Sequence, residues 1–125
     1  MAFPGTYNFS YYAGDTFEFF IYPKNSVGGV FDDLANYNPK FTIASTRGNV
    51  EDVVLASSAS TQLAATVNSV NGISSYISCT IKPEGGRLLS DQSYLYDVEI
   101  KHKTNGKVHT LLTGAISVTQ DITRY

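Results

Sequence analysis

At 125 residues the chain is one domain long, and folding at that length hides roughly two-thirds of the surface that the unfolded chain exposes, enough for an ordinary apolar core. Hydrophobic residues make up 42% and charged residues 16%, too little charge for a solvated disordered tail or a coiled coil. The net charge of −2 leaves no basic excess to neutralise a phosphate backbone, which argues against nucleic acid as a partner, and the single cysteine, Cys79, excludes an internal disulfide framework and any multi-cysteine metal site.

Met1-Ala2-Phe3-Pro4-Gly5 has neither the cationic nor the apolar region of a secretory leader, so synthesis without a signal peptide is expected. Residues 53–81 carry no charge, yet Ser, Thr, Asn and Gln interrupt them throughout. No run of about 18 apolar residues occurs, so no membrane association is expected.

The residues lean towards strands. Residues 7–11 alternate large and small side chains and end at the Ala13-Gly14-Asp15 turn. In residues 16–22, Phe17, Phe19 and Ile21 share one face while Glu18, Phe20 and Tyr22 share the other. A polar loop covers 23–29, Val30-Phe31 leads to a tight turn at Asp32-Asp33-Leu34, and strands follow at 41–44 and 53–57. Residues 61–70 lack a charged face and read as a strand rather than a helix.

Asn71-Gly72 and Asn105-Gly106 each sit between apolar runs and predict β-hairpins with two-residue turns, because Asn and Gly supply positive φ at little cost. In the first hairpin Ile73, Ser75, Ile77, Cys79 and Ile81 form the inward face, which makes Cys79 a small buried hydrophobe. In the second, a two-residue turn places His102 opposite His109. Simple alternation would then leave Ile116 and Val118 on the polar face, so one extra residue is needed, and Gly114 is the expected β-bulge. Tyr94-Leu95-Tyr96, entered from residues 89–93, has the look of a corner where a Tyr hydroxyl ties a loop to a strand.

About eight short strands without helical crossovers imply an all-β, two-sheet antiparallel β-sandwich of immunoglobulin-like type, with an open β-barrel as the alternative. A single domain over 1–125 is expected, with an N-terminal arm at 1–6 and a C-terminal tail at 119–125.

Chemistry-bearing motifs are sparse. His102 and His109 lack the third ligand that zinc or copper needs, and Asp32-Asp33 lacks the spaced oxygens of a calcium loop. The Gly85-Gly86 pair has no phosphate-loop spacing and reads as a turn. No catalytic residue, cofactor or metal is therefore expected. Aromatic residues are in surplus instead, with 9 Tyr and 7 Phe. Phe20 and Tyr22 share the outward face of their strand, only one of Tyr11 and Tyr12 can point inward, and Tyr76 lies outward. Outward aromatics are what interfaces enrich, unless the 23–38 segment covers them. The expected partner contacts are Phe3, Pro4, Tyr12, Phe20, Tyr22, Tyr76 and Tyr125.

Pro4-Gly5-Thr6-Tyr7-Asn8, Tyr12-Ala13-Gly14-Asp15-Thr16-Phe17-Glu18-Phe19, Tyr94-Leu95-Tyr96-Asp97-Val98-Glu99-Ile100 and Leu111-Leu112-Thr113-Gly114 occur in an order that resembles small β-sandwich structural proteins of tailed bacteriophages. The similarity extends to contractile-tailed cyanophage chains and to capsid decoration and baseplate sandwich modules, and it leaves out residues 49–71. The resemblance implies a virion component without catalysis, docked on the major capsid protein or on a tail or baseplate protein, and homo-oligomeric on the particle. The alternative is a carbohydrate-binding module with surface tyrosines as stacking platforms, weakened by the absence of tryptophan.

Overall fold

The computed structural model describes residues 5–24, 31, 33–48, 50–57, 63–70, 72–120 and 122, and the turns read from glycine and asparagine separate nine strands among them. They are β1 (Gly5–Thr6), β2 (Phe9–Tyr12), β3 (Phe17–Ile21), β4 (Tyr37–Ala44), β5 (Val53–Ala56), β6 (Leu63–Val70), β7 (Ile73–Ile81), β8 (Ser93–His102) and β9 (Val108–Thr119). Helical structure among the described residues is confined to short turns, of which Pro83–Gly86 forms one α turn where the sequence suggested a simple reversal.

Six strands form one sheet in the order β1-β9-β8-β4-β5, with β2 continuing β1 along the same side of β9. The other sheet is β3-β7-β6. The two sheets pack face to face, so the fold is the expected sandwich and not an open barrel. Phe41, Ile43, Val98 and Ile100 from the large sheet and Leu63, Ile77, Cys79 and Ile81 from the small one have no exposed surface. Across the core, Phe9 stacks on Phe17 at 4.4 Å, and Phe19 meets Phe41 edge-on at 5.4 Å. Such pairs add about 0.5–1.5 kcal/mol each beyond the area they bury.

The sheet is mixed rather than wholly antiparallel. β1 and β2 run parallel to β9, with Gly5 beside Leu112 and Tyr12 beside Thr119. Gly5 and Thr6, assigned to a terminal arm by the sequence, are therefore part of the sheet, as is Thr119. The strand at 41–44 begins earlier, at Tyr37, and contains Pro39. β5 pairs no further than Thr42, so the missing N–H of Pro39 costs no ladder bond among the described residues.

The β8–β9 hairpin corrects two sequence expectations. His102 accepts a hydrogen bond from the Gly106 amide and donates one to the Lys107 carbonyl, so residues 103–106 form a four-residue loop. Ile100, not His102, then faces His109. Only Gly106 of the Asn105-Gly106 pair has positive φ, at 73°, so the two-residue turn that needs it at both positions cannot form. The bulge lies at Leu111 rather than Gly114: Val98 pairs with Leu112 and Glu99 with Thr110, leaving Leu111 as the extra residue. Beyond it the inward face passes from odd to even positions, which buries Ile116 and Val118.

Gly114 has a different role. It sits opposite Tyr96, and a Cβ there would overlap the Tyr7 carbonyl oxygen and press on the Tyr96 ring. The space it leaves lets the Tyr96 hydroxyl donate to that carbonyl at 2.5 Å, tying the N-terminal strand to β8. The corner at Tyr94 is present, with its hydroxyl accepting from the Ser90 amide at 2.8 Å.

Candidate functional site

Alternation along β3 sends Phe19 into the core and turns Phe20 outward, 51% exposed, with Tyr22 just beyond the strand at 56%. β3 pairs with β7 so that Ile21 faces Ile77; continuing that register brings Tyr22 to Tyr76 and sets Phe20 on the diagonal. Tyr22 stacks on Tyr76 at 5.1 Å, and Phe20 meets Tyr76 edge-on at 5.8 Å. Three of the expected contact residues thus form one cluster on the outer face of the small sheet. The described part of the 23–38 segment does not cover it, because Phe31, Leu34 and Tyr37 turn into the core.

The cluster continues over β3 into a groove of about 610 Å³. Ile21 and Tyr22 form one wall and Gly5 and Tyr7 the other, while Leu111 and Leu112 both line it. Consecutive strand residues ordinarily point to opposite faces; the bulge at Leu111 puts two leucines on one side. Lys24 supplies the one charged side chain among the described lining residues. The sequence reading missed Tyr7, Ile21, Lys24, Leu111 and Leu112 as site residues. The adjacent leucines inside an alternating strand were the signal that could have marked the groove.

Tyr12 is also exposed, at 58%, but stands at the opposite end of the N-terminal strand from the groove. Phe3, Pro4 and Tyr125 lie outside the described residues. Tyr11, the inward member of its pair, donates its hydroxyl to the Asp15 carbonyl at 2.6 Å.

His102 and Asp33 hold two loops together. His102 Nδ1 accepts from the Thr104 and Asn105 amides, which places the ring proton on Nε2, 3.0 Å from Asp33 Oδ2. Asn36 also donates to Asp33, and these two bonds hold the Asp33 carboxyl below its ordinary value. This pair fastens the turn before β4 to the hairpin loop, with the Asp33 side chain itself half exposed. His109 instead lies near the Phe31 and Tyr37 rings. Among the described residues, no three His, Cys, Asp or Glu side chains come together as a metal cage would require. Burial pushes the Cys79 thiol up to about 12, which keeps it protonated and unreactive. A smaller depression of about 270 Å³ lies beside Asp97, Arg47 and Thr42. Partial burial raises the Asp97 carboxyl, Glu99 raises it further, and Arg47 opposes both.

The groove and cluster offer apolar surface, phenol hydroxyls and one ammonium, a set suited to adhesion. No helix among the described residues is long and apolar enough to cross a membrane. In comparisons with known proteins, no family model and no curated sequence matches the chain.

Proposed function

We propose that this chain is a non-enzymatic structural protein of a tailed-bacteriophage virion, docking on a symmetric assembly through the outer aromatic face of its small sheet. The observation that carries the docking is the Phe20–Tyr22–Tyr76 cluster: rings in mutual contact, two of them half exposed, next to an apolar groove. Clustered aromatics at a desolvated centre dominate interface energies. The viral assignment rests on the ordered sequence motifs, above all the Tyr94–Ile100 and Leu111–Gly114 segments. A modest contact repeated over many copies gives large collective attachment without high affinity at any one site, which suits a capsid decoration or a tail or baseplate adaptor.

Binding of the purified chain to purified virions, measured by co-sedimentation, tests this. Phe20→Ala and Tyr22→Ala are each expected to weaken binding about tenfold or more, at least about 1.4 kcal/mol, with an unchanged thermal midpoint. Binding by both variants equal to the parent would overturn the assignment of the surface. Recognition of defined glycans, with no affinity for any viral particle, would assign the same rings to sugar stacking.

A further inference from the structure

We infer that the groove between β1 and β3 receives an extended segment of a partner chain, added as a strand along β3. This rests on the docking reading of the adjoining aromatic face and names how the partner is held. Among the described residues β3 pairs with β7 on one side and with no strand on the other, so a row of backbone donors and acceptors faces the groove. Edge strands are normally blunted by a charge, a proline or a bulge. Within Phe17–Ile21 the only charge is Glu18, and its carboxylate accepts from the Thr80 hydroxyl of β7 at 3.3 Å, drawn away from the free edge.

The side chains around that edge suit an incoming strand. The bulge turns Leu111 and Leu112 together towards the groove, where alternate residues of an added strand would rest, while main-chain bonds run to β3. β3 is five residues long, about 17 Å at the strand rise, so the segment it can pair with is similarly short. The Lys24 ammonium at the end of the groove selects a carboxylate at one end of that segment. The exposed aromatic area favours a short segment over a whole second copy. Tyr7, Phe20 and Tyr22 each leave about 100 Å² open, giving roughly 300–400 Å² against the roughly 800 Å² per partner of a standing dimer. The occupant is a short extended peptide segment, apolar at alternate positions and acidic at one end.

Ten-residue peptides selected from a random display library against the full chain, then synthesised, provide the probe. The expected winners alternate apolar and polar residues with an Asp or Glu at one end. They slow amide hydrogen exchange across β3 and lose at least tenfold in affinity against Leu112→Glu. Lys24→Glu, at an exposed position on the groove's rim, is expected to reverse the preference for an acidic end. Failure to obtain binders, or binders that leave β3 exchange unchanged, would overturn the inference. Virion binding separates the two readings: loss with Phe20→Ala but none with Leu112→Glu or Lys24→Glu keeps the docking face and removes strand addition. Peptides that protect β3 while virions ignore the chain would keep the groove and remove the virion assignment.

Discussion

The position of Gly114 has room for a hydrogen and nothing larger, because the Tyr7 carbonyl and the Tyr96 ring occupy the space of its absent side chain. Gly114→Ala is expected to cost about 3 kcal/mol in urea unfolding, through forced displacement of the N-terminal strand. Tyr96→Phe, which strands the Tyr7 carbonyl, is expected to cost about 1–2 kcal/mol. The sequence marked Gly114 as special but could not show why, since Tyr7 arrives from 107 positions away along a parallel pairing. Asp97 gives a pH-dependent counterpart. Its folded pKa is raised, so its favourable contribution is present below the unfolded value near 3.9 and is lost as pH rises through the folded value. At pH 7 the carboxylate works against folding. Asp97→Asn is therefore expected to raise the free energy of urea unfolding at pH 7, by less than about 1 kcal/mol given its partial exposure, and to give no gain at pH 3.

Among the elements, the β8–β9 hairpin shows what local pattern can and cannot decide. The need for one inserted residue was legible, because His109 and Leu111 must face inward before it and Ile116 and Val118 after it. Its place was not, because the loop length sets the register. That length depends on His102, whose ring accepts from the Thr104 and Asn105 amides and favours four loop residues over two. In the β6–β7 hairpin Val70 does pair with Ile73 across a two-residue turn, yet the register shifts between Asn68 and Ser69 and leaves Ser75 as an extra residue there too. Gly106→Ala places a Cβ at φ 73° in open space and is expected to cost about 1 kcal/mol by backbone strain alone. The free edge of β3 and the groove beside it escaped sequence reading for a related reason. Both depend on which strand from the opposite sheet stands across the gap, and alternation within one strand carries no such information.

At the scale of the whole molecule, composition and turn spacing were enough for a helix-poor, two-layer fold, since β-branched and aromatic runs between glycines bury well only against a second sheet. The outward aromatic face was legible from β3 alone, where Phe17 and Phe19 claim the core and leave Phe20 and Tyr22 outside. Its union with Tyr76 required the β3–β7 register. Adhesion through this face predicts a change of solvent access when the chain meets its particle. Hydroxyl-radical footprinting of the free chain and of virion-bound chain measures that change directly. Docking predicts that Phe20, Tyr22 and Tyr76 are oxidised readily in the free chain and protected several-fold when bound, while the buried Phe41 and Ile100 stay unmodified in both. Equal oxidation of the three rings in the two states would contradict it.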